Sequence, residues 1–77
     1  MVIEVLILGS EAPLFEGKAG RVILPGEQGV FEVGPLHRPL ISRLLPGTVI
    51  VDEQAIPIRR GVAQVGRNRM IALVEPA

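Results

Sequence analysis

The side chains that could perform chemistry in this chain are few and far apart. A nucleophile would have to be Ser10, Ser42 or Thr48. Its general base would have to be a carboxylate or His37, the only histidine. No hydroxyl stands in a Gly-x-Ser-x-Gly elbow, and a catalytic triad would depend on proximity that the sequence does not indicate. The sequence therefore argues against an enzyme.

Cofactor and metal sites are equally weakly supported. Gly26-Glu27-Gln28-Gly29 has two glycines, but no Lys, no Ser or Thr and no predicted helix follows them as a phosphate-binding loop requires. The chain has no cysteine, so it has neither disulfides nor thiolate ligands. One histidine cannot build a zinc site without three other ligands. We expect no cofactor, no metal and no small-molecule ligand.

Composition excludes further classes of function. The formal net charge is zero, from eight basic and eight acidic residues without a run of either sign, which does not favour nucleic acid or an anionic membrane. Phe15 and Phe31 are the only aromatic residues, too few for a base-stacking surface. No apolar run reaches the roughly 18 residues of a membrane span, and the N-terminus lacks the features of a signal peptide. We expect a cytoplasmic chain with no direct membrane insertion.

The elements that must position these residues are strands. Ten Val and eight Ile fall in short apolar runs with a period of two, and Gly or Pro separates almost every pair of runs. Pro39 and Pro46 bracket only six residues, which favours a strand over a helix between them. The pattern predicts an all-β fold, a flattened β-sandwich or barrel of about eight to ten short strands. The predicted strands cover residues 2–8, 20–24, 30–33, 40–45, 48–52, 55–60, 61–65 and 70–75.

Three local features refine this prediction. Pro57 removes a ladder donor, so its strand should lie at an edge. Asn68 suits a tight hairpin that needs a positive φ. Residues 2–8 and 70–74 are apolar on both faces, which indicates that one sheet face is left for something else to cover. A chain of 77 residues allows one domain with a small core, so a partner surface would help to stabilise it.

Residues 26–47 are the most informative segment. Their pattern runs Gly-x-x-Gly, an aliphatic residue, a turn ending in His-x-Pro-Leu, an apolar run and Pro-Gly. This pattern resembles, without a gap, the β-domain of the epsilon subunit of the F-type ATP synthase, which is called delta in mitochondria. The likeness continues before it in Leu14-Phe15-Glu16-Gly17 and after it in residues 47–51, 61–65 and 70–74. The turn-forming residues in this pattern are Gly26, Gly29, Pro35, Pro39, Pro46 and Gly47.

The resemblance implies a single epsilon-like β-sandwich domain over residues 1–77 that works as a non-catalytic rotor subunit. The family couples the gamma shaft to the c-subunit ring of a proton- or sodium-translocating ATP synthase, so the chain would lie peripherally on the inner face of the cell membrane. It implies that the loops at one end meet the ring, through Gln28, Val30, Glu32 and His37, with Phe31 packing inward. His37 would also bond a backbone carbonyl and fix its turn. For gamma, an apolar sheet face is expected, with contacts from Met70, Ile71 and Leu73.

Departures from the family pattern define what the resemblance leaves open. Glu32 and Leu36 stand where the family commonly has Gly, so a positive φ there must be either relaxed or strained in this chain. The family usually continues into two C-terminal helices, which we expect to be absent since the chain ends at Glu75-Pro76-Ala77.

Two alternative functions remain open. One is a β-sandwich adaptor or self-associating scaffold that reuses the fold. The other is a small ligand-binding barrel, which would need an apolar pocket.

Overall fold

Eight β-strands build the structure, a computed structural model that describes residues 1–77. They are β1 (Ile3–Leu8), β2 (Pro13–Ala19), β3 (Val22–Gly26), β4 (Gly29–Val33), β5 (Leu40–Leu44), β6 (Gly47–Val51), β7 (Gln54–Gly66) and β8 (Arg69–Pro76). The all-β prediction is confirmed, and the residues between Pro39 and Pro46 form a strand. The structure contains no helix long and apolar enough to cross a bilayer.

Two strand predictions were wrong. No strand was predicted at β2, because Pro13, Gly17 and Lys18 are poor strand residues in isolation; β2 forms because it pairs along β1. The segments predicted as two strands, 55–60 and 61–65, are one strand, β7. Its register against β8 shifts between Ile58 and Arg60, which marks a bulge. A bulge bends a strand without ending it, so the apolar alternation is broken while the strand continues.

The long strand β7 organises the sheet into two layers. Its first part pairs with β6, which pairs with β3, and β3 pairs with β4. Its second part pairs with β5 on one side and β8 on the other. Beyond β8 lies β1, parallel to it, and then β2. The layers β4-β3-β6-β7 and β5-β7-β8-β1-β2 thus share β7, and they are also joined where Gly26 of β3 pairs with Leu44 of β5. The flattened sandwich is confirmed.

The core between the layers is entirely apolar. Seventeen buried hydrophobic residues form one cluster, and no polar or charged residue is buried. In β1 the buried residues are Ile3, Val5 and Ile7, while Glu4 points to solvent and Leu6 and Leu8 are half-buried. The core therefore takes every second residue, as the period of a strand requires.

The prediction for Asn68 is confirmed, but the strand that holds Pro57 is not an edge strand, because β7 pairs with β5, β6 and β8. Pro57 lies in the part of β7 that pairs with β6, whereas the pairing with β8 begins only at Ile58. Its missing N–H group therefore lies near the edge of a layer. Asn68 occupies the turn between β7 and β8 with a φ of 54°.

Asp52 fastens two turns to each other. It lies between β6 and β7 with a φ of 53°. Its Oδ1 accepts hydrogen bonds from the backbone N–H groups of Gly20 at 3.0 Å and Arg21 at 3.2 Å. The N–H of Asp52 donates to the carbonyl of Arg21 at 3.1 Å. These bonds hold the β2–β3 turn against the β6–β7 turn, a contact that sequence periodicity does not reveal.

Candidate functional site

The hairpin of β3 and β4 presents the predicted tip. Glu27 and Gln28 form the turn, and Gly29 follows with a φ of 123°, which strongly favours glycine. The ring of Phe31 packs so close to Gly26 that a Cβ there would lie 2.6 Å from it. Phe31 also packs against the core, as predicted, which fixes the tip on a rigid base.

The crossover from β4 to β5 spans residues 34–39 and connects the two layers. His37 donates its backbone N–H to the carbonyl of Gly34 at 3.3 Å. Its Nδ1 lies 2.7 Å from the carbonyl oxygen of Arg38, so Nδ1 must carry a proton to make this bond. The predicted structural role of His37, a ring bonded to a backbone carbonyl within its turn, is confirmed.

A surface trough lies between the hairpin tip, the crossover and β5. It brings Gln28, Val30 and His37 together, three of the four residues predicted to contact the ring. The fourth, Glu32, is not part of its lining; its carboxylate lies 3.8 Å from the guanidinium of Arg21. The trough is lined by Gly26, Glu27, Gln28, Gly29, Val30, Phe31, His37, Leu40, Ile41, Ser42, Arg43 and Val62.

A positive φ occurs at one of the two positions where the sequence left a strained or a relaxed backbone open. Leu36 adopts a φ of 65°, in the left-handed region, whereas Glu32 does not. Glu32 lies in the regular part of β4, paired with Ile23. The crossover therefore keeps a left-handed backbone position although its residue has a branched side chain.

The residues predicted to contact gamma fall on two different faces of β8. Met70 is 0% exposed and belongs to the core, so its inclusion among surface contacts was wrong. Ile71 and Leu73 alternate with the core residues and face outward, and Leu73 is 53% exposed. The error has a simple cause, because an apolar strand does not indicate which of its two faces is the inner one.

An apolar outer stripe extends from β8 across its neighbours. Ile71 pairs with Leu6, and Leu73 pairs with Leu8 and Val62. Ile41 continues the row of Ile71 through Gln64. Directly opposite residues share a face, so these side chains form one surface on the β5-β7-β8-β1 layer. We call this surface the outer stripe; it consists of Leu6, Leu8, Ile41, Val62, Ile71 and Leu73.

The sequence contained a signal for the missed members of this stripe. Leu6 and Leu8 alternate with the buried residues of β1, and Val62 alternates with buried Ala63 and Val65. Apolar residues at both parities of a strand indicate a second covered face. Only the pairing of the strands shows that the second faces join. Ile41 and Val62 also line the trough, so the two surfaces meet along β5 and β7.

Charged pairs border the outer stripe at both ends. At one end Arg69 lies 3.9 Å from Glu4, with Lys18 opposite Glu4 on β2. At the other end Glu75 accepts a hydrogen bond from Nε of Arg60 at 2.9 Å. That hydrogen bond and the positive charge of Arg60 lower the pKa of Glu75. An apolar centre with a charged rim is the usual layout of a protein interface.

The candidate catalytic side chains are occupied by local bonds. Ser42 lies in the trough with His37, but its hydroxyl donates to the carbonyl of Arg43 at 2.9 Å, and the ring of His37 bonds Arg38. The two side chains make no hydrogen bond to each other. No group of three His, Cys, Asp or Glu side chains comes together to hold a metal ion.

Comparison with known proteins identifies the family. The family of the β-sandwich domain of the ATP synthase delta/epsilon chain matches residues 2–77. The chain belongs to this family. The resemblance seen in the Gly-x-x-Gly and His-x-Pro-Leu segments is therefore confirmed.

The curated relatives that match this chain are ATP synthase epsilon chains. The chain is 34% identical to the ATP synthase epsilon chain of Delftia acidovorans, over 97% of this chain and 58% of that protein. It is 36% identical to the epsilon chain of Bordetella parapertussis, over 92% of this chain and 54% of that protein. The chain thus spans somewhat more than half the length of the relatives it matches.

Solved structures show the same fold in distant proteins. A chain of the Tetrahymena thermophila mitochondrial ATP synthase central stalk and c-ring matches with a TM-score of 0.78 at 13% identity, over 94% of this chain and 62% of that one. A chain of the Euglena gracilis mitochondrial ATP synthase matches with a TM-score of 0.85 at 15% identity, over 95% and 50%. At such identities the likeness supports the sandwich fold.

Proposed function

We propose that this domain is a non-catalytic part of the rotor of an F-type ATP synthase, coupling the gamma shaft to the c-subunit ring. Membership of the delta/epsilon family supports this role. The observation that carries it is the outer stripe, which covers one layer with apolar side chains that the core does not use. The outer stripe and the trough meet along β5 and β7, an arrangement that suits a domain linking two partner proteins.

The outer stripe is the proposed gamma surface, with Ile71 and Leu73 as contacts. Met70 is not among these contacts because it is buried in the core. Burying a fully exposed Leu side chain contributes about 1.5–3 kcal/mol, so the half-exposed Leu73 has about 1 kcal/mol left to gain. Five further apolar neighbours contribute in the same way. The charged rim of Glu4, Arg69, Arg60 and Glu75 would set orientation more than affinity.

The trough is the proposed ring surface, with Gln28, Val30 and His37 as contacts and Glu32 beside it. Val30 is 74% exposed at the tip of a hairpin whose base is held rigidly by Phe31. Polar Gln28 and the free Nε2 of His37 can exchange hydrogen bonds with loops at the level of the lipid headgroups. Through such a contact the domain would be peripheral to the inner face of the cell membrane without inserting into it.

The chemistry of the trough supports the proposed non-catalytic role. Its serine and its histidine each bond a neighbouring carbonyl, and neither activates the other. The domain also lacks a glycine-rich loop followed by a helix N-terminus, which phosphate binding requires. We therefore expect the work of this domain to be mechanical, with the ring turning gamma through it.

The gamma surface is tested by co-expression with gamma and size-exclusion chromatography. The wild-type chain should elute as a stable 1:1 complex. Ile71→Asp and Leu73→Asp should each abolish this complex while the variant stays folded by circular dichroism. Thr48→Asp introduces the same charge at an exposed position of the other layer and should bind normally. Self-association of the chain without any gamma binding would favour the adaptor or scaffold alternative instead.

The ring surface is tested by charge reversal. Glu32→Lys should reduce ATP-driven ion pumping by the assembled complex and leave gamma binding intact, because Glu32 lies away from the outer stripe. Glu53→Lys makes the same change on the exposed β6–β7 turn and should leave pumping unchanged. Loss of gamma binding in Glu32→Lys, with normal binding in folded Leu73→Asp, would show that the two surfaces have been assigned the wrong way round.

A further inference from the structure

The strand β2 has one edge without a partner, since it pairs only with β1. The N–H of Glu4 in β1 donates to the carbonyl of Asn68 at 3.1 Å, on the side of β8. Backbone groups alternate in direction along a strand, so the odd-numbered residues of β1 bond β2, where odd-numbered residues lie opposite them. The N–H and C=O groups of Glu16 and Lys18 therefore point away from β1, along the free edge of β2.

This free edge carries two charges that the domain itself does not pair. Glu16 and Lys18 are exposed, and neither takes part in any ion pair of the structure. They lie two residues apart, so their side chains stand on one face of β2, and Gly17 between them faces the other way. A lysine in an edge strand discourages pairing with another chain, unless a carboxylate lies opposite it.

Antiparallel pairing of two β2 strands about Gly17 supplies that carboxylate. With Gly17 of one copy opposite Gly17 of the other, Glu16 of each copy lies opposite Lys18 of the other copy. Both residues of each pair direct their backbone groups outward, so each pair exchanges two hydrogen bonds, about four in all. One register therefore satisfies the side-chain charges and the backbone together.

The second edge strand, β4, lacks this property. It pairs only with β3, and Glu32 is its only charged residue. Pairing of two β4 strands would place Glu32 opposite an uncharged residue or opposite a second Glu32. Glu32 also has a partner within the domain, the guanidinium of Arg21 at 3.8 Å. Charge complementarity thus distinguishes β2 from β4 as a site of self-pairing.

We propose that the free edge of β2 binds a second copy of this chain, which gives a weak dimer with two-fold symmetry. The layer β5-β7-β8-β1-β2 then continues into the same layer of the second copy. Glu16, Gly17 and Lys18 belong neither to the outer stripe nor to the trough, so the inference goes beyond the proposed function and does not depend on it. The contact is small and its ion pairs are exposed, so the dissociation constant should be on the order of 0.1–1 mM.

Charge exchange tests the pairing by sedimentation equilibrium of the full chain, at concentrations up to about 2 mM. The wild-type chain should show a monomer–dimer equilibrium. Glu16→Lys places like charges opposite each other across the dimer, as does Lys18→Glu, so each variant alone should associate at least about ten-fold more weakly. An equimolar mixture of the two should regain the wild-type affinity, because every charge then meets its opposite in the other chain.

Restoration in the mixture separates specific pairing from aggregation and from misfolding. Lys18→Glu also puts a carboxylate opposite Glu4 of its own chain, so circular dichroism must show that both variants are folded. The proposal is overturned if the wild-type chain stays monomeric over this range. It is equally overturned if the single variants associate as wild type does, or if the mixture of folded variants remains monomeric.

Gly17→Cys tests the register independently. Gly17 has no positive φ, and a Cβ there would lie 3.6 Å from the ring of Phe15, an ordinary contact distance, so this variant should fold. Two such opposite residues have Cα atoms about 4.5 Å apart, which a disulfide can span. The chain has no other cysteine, so mild oxidation should give a covalent dimer on a non-reducing gel. Glu32→Cys on β4 is the matched control; equal cross-linking there, or none at position 17, would refute the proposed register.

Discussion

Two residues on opposite faces of β8 offer a sharp test of which residues stabilise the fold and which bind gamma. Met70 is 0% exposed in the core, and Leu73 is 53% exposed on the outer stripe. Met70→Ala should lower the free energy of unfolding by about 2–5 kcal/mol, because it removes buried methylene groups and leaves a cavity. A domain of this size has a total stability of about 4–12 kcal/mol, so the loss is a large fraction. Leu73→Ala should change it by less than about 0.5 kcal/mol.

Binding to gamma should show the opposite order. Leu73→Ala removes most of the side chain that gamma would cover, about 1 kcal/mol, which corresponds to roughly a five-fold loss of affinity. Met70→Ala should bind normally at temperatures where it remains folded. Urea unfolding measures the first quantity, where 2 kcal/mol shifts the midpoint by about 2 M at a slope near 1 kcal/mol/M. Calorimetric titration with gamma measures the second. Equal destabilisation by both substitutions, or a gamma affinity that depends on Met70 alone, would refute this division.

Three further predictions concern the scaffold. Gly26→Ala should lower the melting temperature markedly, since its Cβ would lie 2.6 Å from the ring of Phe31, and adding Phe31→Leu should recover part of the loss. Asp52→Ala should lower the free energy of unfolding by about 1–3 kcal/mol in urea titrations, because two backbone N–H groups lose their acceptor. Asp52→Asn keeps an acceptor oxygen and should retain much of the wild-type stability. The pKa of Glu75 is lowered chiefly by its hydrogen bond from Arg60. The stability that Glu75 contributes to the folded domain is therefore present above its unfolded pKa and is lost as the pH falls through its folded pKa. Glu75→Gln should therefore make unfolding less dependent on pH in that acid range, and an unchanged dependence would contradict this account.

The sequence predicted the class of fold well because local signals agreed. Short Val- and Ile-rich runs between Gly and Pro predicted strands, and Pro39 and Pro46 excluded a helix between them. Asn68 marked a hairpin turn, which its φ of 54° confirms. The Gly-x-x-Gly and His-x-Pro-Leu segments were specific enough to indicate the family. The sequence left the backbone of Leu36 open between a relaxed and a strained conformation, and only the structure shows its positive φ.

Pairing between distant strands decided the rest. β2 is a strand only because β1 lies beside it, and the parallel pairing of β1 with β8 has no local signal. The bulge in β7 allows one strand to serve both layers, where periodicity alone predicted two strands. The same limit explains the error at Met70. Residues of one strand alternate between two faces, so the sequence determined that β8 has two apolar faces, but only packing against the other layer decided that Met70 lies inside and Leu73 outside.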